Sequence, residues 1–73
     1  MVIISNEISI IAKNIKKIRK KRSISQDKLS KLTEVAYNTI IKIESGAIQN
    51  PTIETIQKIA KALDVSLDEL AKS

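Results

Sequence analysis

The sequence predicts an all-α fold, a bundle of five short helices. Isoleucine, 15 of the 73 residues, favours strands by propensity, but it recurs here at steps of three and four, which is helical spacing. Serine and threonine stand in front of several of these runs, as helix caps do. The short glycine turns that join strands into hairpins are missing from the sequence. Spacing therefore outweighs propensity.

The first helix is predicted from about Ser5 to Lys21. One stripe of this segment is apolar, and its members are Ile8, Ile11, Ile15 and Ile18. After a break, Ser25 can cap a second helix that carries Leu29 and Leu32 and ends near Thr33.

The third helix is predicted from about Tyr37 to Ser45 and buries Ile40 and Ile43. It stops at Gly46, the single glycine of the chain, because glycine adopts the left-handed conformation that ends many helices.

Thr52 can cap a fourth helix with apolar residues again at helical spacing. These residues are Ile53, Ile56, Ile59, Ala60 and Leu63. Ser66 and Glu69 then have capping-box spacing, which starts a short fifth helix at Leu67. We therefore expect one domain over residues 1–73, with residues 1–10 as an N-terminal extension.

Composition excludes several functional classes. The chain has no cysteine and no histidine, so it lacks the ligands of the usual zinc, haem and iron–sulfur sites and the imidazole of a catalytic triad. We therefore expect no enzyme, no metal and no cofactor. The N-terminus lacks a signal-peptide pattern, and no apolar run approaches the roughly 20 residues that span a bilayer. These features predict a soluble cytoplasmic protein without a membrane partner.

The net charge of +5 suggests a polyanionic partner. Seven of the 13 cations lie between residues 13 and 22, and no acidic residue occurs from Ile8 to Gln26. Each lysine taken alone is equally consistent with a solvated face that keeps a small protein soluble. The cluster as a whole favours a polyanion.

The second and third helices are predicted to form a tight pair. Small Ser30 lets them approach, and Val35 fills the turn between them. With the apolar side chains of the pair turned inward, four side chains point away from the core and form a face that fits a major groove. They are Tyr37, Asn38, Ile41 and Lys42.

From about Ile11 to Leu70 the chain resembles the helix-turn-helix family of phage repressor, Cro and Xre-like regulators. The segments that carry the resemblance are Ile18-Arg19, Ser25-Gln26, Leu29, Val35, Thr39-Ile40, Ile43-Glu44-x-Gly46, Pro51-Thr52, Thr55-Ile56, Ile59-Ala60-x-Ala62-Leu63 and Val65-Ser66-Leu67-x-Glu69-Leu70. The resemblance implies a five-helix bundle of the phage-repressor type in which the second and third helices bind double-stranded DNA.

The resemblance also implies roles for single residues. Tyr37, Asn38 and Lys42 match base-reading positions, so Asn38 is expected to bind adenine and Lys42 guanine, with Ile41 against a thymine methyl group. Gln26 matches a position that binds phosphate or supports the reading residues, and Asn50 matches a position near the sugar-phosphate strand. Arg19 and Glu44 match an internal ion pair, which makes both structural.

Three residues depart from the family pattern. Glu34 stands where the family prefers glycine at a turn with positive φ, which costs on the order of 1 kcal/mol. Ala36 replaces the usual capping residue of the third helix, at a cost of roughly another 1 kcal/mol. Ile41 stands where a small polar residue is common. Either the turn is shifted or packing compensates.

The favoured function is a transcriptional regulator that binds as a homodimer to a palindromic operator, with half-sites about 34 Å apart. The alternative is an antitoxin or another protein-interaction module on the same scaffold. A basic amphipathic peptide acting at membranes is the third possibility. Ile3, Ile4 and Ile10 either cover a gap in the monomer or form a dimer surface, and Leu67 and Leu70 of the fifth helix are the other candidate surface.

Overall fold

Helices begin and end where the capping residues and the isoleucine spacing predict. The computed structural model describes residues 5–48 and 50–72, with side chains for 10–48 and 50–72. The helices within these residues are α1 (Ser5–Lys21), α2 (Gln26–Thr33), α3 (Tyr37–Ser45), α4 (Ile53–Ala62) and α5 (Leu67–Ala71). The predicted all-α, five-helix fold is confirmed.

One apolar core is shared by the helices. α1 packs against α3 and α5, α2 against α3 and α4, and α4 against α5. Six large side chains are fully buried between them, namely Ile15, Leu29, Ile40, Ile59, Leu63 and Leu70. Each such burial contributes about 1.5–3 kcal/mol, so the helices are held by their apolar faces rather than by the weak helix propensity of isoleucine.

Hydroxyl side chains cap three helices at the predicted residues. Ser25 Oγ accepts a hydrogen bond from the backbone N–H of Lys28 at 3.0 Å, and Thr52 Oγ1 accepts one from that of Thr55 at 3.1 Å. Ser66 and Glu69 form the predicted capping box at the start of α5. These bonds satisfy amides that have no partner within the helix.

Left-handed residues follow each of the first four helices. Gly46 ends α3 with φ at +83°, as expected for glycine. The other three positions are Ser23, Glu34 and Asp64, with φ values of +58°, +59° and +58°. A side chain in this conformation costs roughly 1–2 kcal/mol, so the chain tolerates strain at three helix ends.

Asn14 joins the two ends of the domain. Its Nδ2 donates to the carbonyl oxygens of Leu70 and Lys72, each at 2.7 Å. The last carbonyls of a helix have no partner within it, so this α1 side chain completes the C-terminal end of α5. No local pattern in the sequence predicts this contact, because the two residues are 56 positions apart.

The residues of the two predicted dimer surfaces differ in their exposure. Ile3 and Ile4 lie outside the described residues, and Ile10 is half-buried. Leu70 is fully buried beneath α1, whereas Leu67 is 38% exposed. The expectation that Leu70 contributes to a dimer surface is therefore wrong, because the monomer core already covers its side chain.

Candidate nucleic-acid interface

An ion pair fixes α3 against α1. Arg19 Nε lies 2.7 Å from Glu44 Oε2, and Nη2 lies 2.9 Å from Oε1, so the contact is bidentate. The third nitrogen, Nη1, donates to the Ile24 carbonyl at 2.9 Å. The two side chains are only 9% and 3% exposed. Arg19 therefore connects α1 both to α3 and to the segment before α2.

Gln26, at the first position of α2, joins this pair. Its Nε2 donates to Glu44 Oε1 at 3.1 Å. One amide hydrogen is thereby used, and the other remains able to donate. Gln26 thus helps to hold α3 through Glu44, and its second amide hydrogen remains a free donor at the start of α2.

Local hydrogen bonds stabilise the turn between α2 and α3, which contains Glu34. Ser30 Oγ donates to the Val35 carbonyl at 2.6 Å. Buried Thr33 Oγ1 accepts from the Val35 N–H at 3.2 Å and lies 2.7 Å from the Leu29 carbonyl. Because Glu34 itself adopts the left-handed conformation, the positive φ falls at the position that the resemblance implies, and these bonds stabilise the turn around it.

Thr33 stabilises the turn before α3 in addition to ending α2, and the sequence prediction names it only as the end of α2. The signal was present in its position. Threonine in the last turn of a helix can bond back to the carbonyl four residues earlier. At Thr33 the same oxygen also receives an amide of the following turn.

The outer face of α3 carries side chains that make no side-chain hydrogen bond within the described residues. Ile40 and Ile43 turn inward and are 0% and 3% exposed. Tyr37 is 45% exposed, and Asn38 and Lys42 are exposed beside it. The structure therefore places these three predicted reading residues on the exposed side of α3.

Ile41 lies at the edge of this surface. It is half-buried, and it is not among the apolar side chains packed against the core. A half-buried isoleucine outside the core still offers methyl groups on the outer side of α3. Its position is compatible with the predicted contact to a thymine methyl group.

The start of α3 has no side-chain cap, as the sequence predicted for Ala36. The Ala36 carbonyl accepts from Thr39 and Ile40 within the first turn. The N–H groups of Tyr37 and Asn38 have no intrahelical partner, as at any helix start. The positive end of the dipole of α3 therefore lies at Tyr37 and Asn38, two of the predicted reading residues.

The segment after α3 brings Asn50 to the surface. The Ile48 N–H donates back to the Lys42 carbonyl at 3.1 Å, which closes the end of α3. Asn50 is exposed and stands two residues before Thr52, the cap of α4. An amide side chain and the start of a helix are thus close in the chain, a combination that suits a phosphate group.

Positive charge is exposed around the domain. Of the seven clustered cations, Arg19 is buried in its ion pair and the other six are exposed. Within the described residues, the lysines in salt bridges are Lys31 with Asp27 and Lys58 with Glu54. Lys42 is in none of the described salt bridges, so its charge is available to a ligand.

Two other kinds of feature do not occur in the described residues. None of the helices there is long and apolar enough to cross a membrane. In the same part of the chain, no group of acidic side chains is placed to hold a metal ion.

Comparison with known proteins gives a consistent result. A family model described as helix-turn-helix matches residues 15–70. Two curated relatives, each named HTH-type transcriptional regulator SinR, from Bacillus subtilis (strain 168) and Bacillus licheniformis, are 33% identical over 61 residues. These alignments cover 84% of this chain and 55% of each relative, so the chain spans about half their length. No solved structure matches the chain at comparable significance.

Proposed function

The chain belongs to the helix-turn-helix family, and from that premise we propose that it is a non-enzymatic transcriptional regulator that binds double-stranded DNA through α3. The relatives that carry the name transcriptional regulator support the regulatory part. The net charge of +5 supports a polyanionic ligand.

One observation carries the proposal. The outer face of α3 offers Tyr37, Asn38 and Lys42, which make no side-chain hydrogen bond among the described residues, while the opposite face is fixed by buried Ile40 and by the Glu44 ion pair. Base reading needs polar groups on a rigid element that fits the major groove. An exposed polar face on a firmly held short helix meets this need.

Each outer side chain then has a role of its own. Asn38 forms two hydrogen bonds with the N6 and N7 edge of adenine, and Lys42 donates to O6 or N7 of guanine. Ile41 contacts a thymine methyl group. Tyr37 packs its ring along the groove wall and directs its hydroxyl group to a phosphate. Together these contacts define a short recognition sequence.

Phosphate contacts set the position of α3 in the groove. Gln26 uses its second amide hydrogen for a phosphate while the first stays on Glu44. Asn50 binds the strand on the other side, next to the start of α4. Contacts of this kind fix register but carry no base preference. Variants at these two positions should weaken binding to all sequences alike.

The regulator acts as a homodimer in the cytoplasm and reads a palindromic operator. One short helix contacts too few base pairs to specify an operator. A dimer that binds two half-sites about 34 Å apart recognises twice as many. The exposed Leu67 at the start of α5 is a candidate contact between copies.

Selection of bound sequences from a random duplex pool tests the proposal. The wild-type protein should enrich a two-fold symmetric motif with half-sites about one helical turn apart. Asn38→Ala should enrich a motif in which one adenine position per half-site has lost its preference. Gln57→Ala removes an exposed amide from α4 and serves as the matched control. Its motif should equal that of the wild type.

Failure to enrich any motif contradicts base reading. Enrichment of an unsymmetric single half-site contradicts the dimer but retains the reading role of α3. An unchanged motif for Asn38→Ala removes Asn38 from the reading set. Each element of the proposal thus has its own outcome.

A protein partner is the second candidate, favoured by one observation. Leu32 on α2 is 49% exposed beside a shallow depression lined by Thr33, Lys58 and Ala62. If the protein acts through this surface, Leu32→Glu abolishes its regulatory effect in cells while Lys42→Glu leaves it intact. The reverse pattern supports DNA binding.

A further inference from the structure

One face of α1 is a continuous stripe of lysines. Lys13, Lys16, Lys17 and Lys20 follow the spacing of one helix face, and all four side chains are exposed. None of the four takes part in a salt bridge within the described residues. No acidic residue lies between residues 8 and 26 to offset them locally. These four side chains form the lysine stripe.

The lysine stripe faces away from the core. Consecutive helical residues are rotated by about 100°, which puts the centre of the stripe roughly 150° from the centre of the inward-facing side chains of α1. Those inward-facing side chains are Ile11, Ala12, Ile15, Ile18 and Arg19. Packing of α1 against α3 and α5 therefore leaves the stripe on the outside.

Repulsion makes the stripe unfavourable in the free protein. Like charges three and four residues apart on a helix destabilise it. Substitution by glutamine would remove the repulsion at equal helix propensity, and solubility alone does not require one sign of charge on one face. A ligand of high, regular negative charge offsets this repulsion.

We propose that the lysine stripe is a second binding surface for DNA, which holds the phosphate backbone of a duplex other than the one read by α3. The four charges extend over about 10 Å of helix, and a duplex carries one negative charge per about 1.7 Å of its axis. A row of point charges on flexible stems fits this continuous charge and needs no base contact.

The arrangement favours DNA over a membrane or an acidic protein. Helices that lie in a membrane surface expose an apolar face next to their cations, but none of the described apolar side chains of α1 is fully exposed. An acidic protein partner presents separate carboxylates and is usually recognised with an apolar anchor among the charges. The stripe offers no such anchor.

The stripe and the reading face lie on different helices, the stripe on α1 and the reading face on α3. Arg19, whose ion pair joins α1 to α3, is buried on the inward side of α1 and is not part of the stripe. In this proposal a duplex against α3 leaves the stripe free for a second duplex. In this respect the inference rests on the proposed function. One protein particle would then connect two DNA segments.

A capture assay tests the connection. A duplex with the selected motif is immobilised and saturated with protein, and a fluorescent mixed-sequence duplex is then added. The wild-type protein should capture the fluorescent duplex, and Lys16→Gln with Lys20→Gln should reduce capture several-fold without weakening binding to the immobilised duplex. The control pair, Lys58→Gln with Lys61→Gln on α4, removes the same net charge from exposed side chains and should capture as the wild type does.

A salt titration on the mixed-sequence duplex separates this inference from the proposed function. Loss of two lysines that each neutralise one phosphate should lower the slope of log affinity against log salt by about 2, and the control pair should not lower it. The lower slope is expected even if no motif is selected. Failure to select a motif would contradict base reading by α3 but not the binding of phosphate by the stripe. Circular dichroism establishes that both double variants are folded.

Several outcomes overturn the inference. Equal capture of the fluorescent duplex by both double variants shows that the stripe does not hold the second duplex. The second duplex is then held by a second α3 face. If the wild type captures no fluorescent duplex and the Lys16→Gln with Lys20→Gln variant binds the immobilised duplex more weakly, the stripe and α3 bind the same duplex. Stripe-dependent binding to vesicles containing phosphatidylserine, with no capture of DNA, assigns the stripe to membranes.

Discussion

The ion pair between α1 and α3 provides the sharpest test of how the domain is held together. Glu44→Gln keeps the size and shape of the side chain but removes its charge. The Arg19 side chain is 9% exposed, so its guanidinium group would remain buried without a counter-charge. Loss of one partner of a buried pair costs about 3–5 kcal/mol. The free energy of unfolding should fall by that amount.

This loss is large relative to the stability of so small a domain. For 73 residues, the expected free energy of unfolding is about 4–11 kcal/mol. Urea unfolding followed by far-ultraviolet circular dichroism measures the change directly. Lys31→Gln, which breaks the exposed pair with Asp27, is the control and should cost less than about 1 kcal/mol.

A rescue variant separates buried charge from lost packing. Arg19→Met combined with Glu44→Met replaces the pair with apolar side chains, and such replacements of buried ion pairs are often neutral or stabilising. The double variant should regain at least half of the lost stability. If Glu44→Gln costs no more stability than Lys31→Gln, the buried ion pair does not hold α3 against α1.

Three further predictions concern the helix ends and the turn. Glu34→Gly should raise the free energy of unfolding by about 0.5–1 kcal/mol, or the melting temperature by roughly 4–8 °C at the upper value, because glycine adopts positive φ without strain; a lower melting temperature would contradict the strain assigned to Glu34. Asn14→Ala should cost about 1–2 kcal/mol in urea unfolding, because two carbonyls at the end of α5 lose their donor. A loss within about 0.5 kcal/mol, the range of ordinary surface substitutions, would show that Asn14 does not hold α5. Thr33→Val keeps the side-chain shape but leaves the Val35 N–H without a partner, so it should cost about 1–3 kcal/mol; an unchanged urea midpoint would assign the turn to packing alone.

The helices could be predicted from the sequence because local signals agree with the final packing. The isoleucine spacing, the serine and threonine caps and the single glycine all act within one or two turns of helix, and they gave the observed bounds of α1 and α3. The outward direction of Asn38 and Lys42 followed from the same period, because Ile40 and Ile43 mark the inner face.

The contacts that could not be predicted join distant parts of the chain. Asn14 and Leu70 are 56 residues apart, and nothing in the local sequence of either residue specifies the other. The burial of Leu70 was also missed, because a helix of five residues is too short for its period to define an inner face. The bond from Gln26 to Glu44 likewise depends on the packing of α2 beside α3.

A comparison of affinities for two duplexes shows whether Asn38 reads a base. Fluorescence anisotropy would measure the binding of Asn38→Ala and wild-type protein to the selected duplex and to a scrambled duplex at one salt concentration. If Asn38 reads a base, Asn38→Ala loses about 1–3 kcal/mol of binding free energy on the selected duplex and almost none on the scrambled one. Equal losses on the two duplexes would contradict base reading, since they would reduce Asn38 to a contact that ignores sequence.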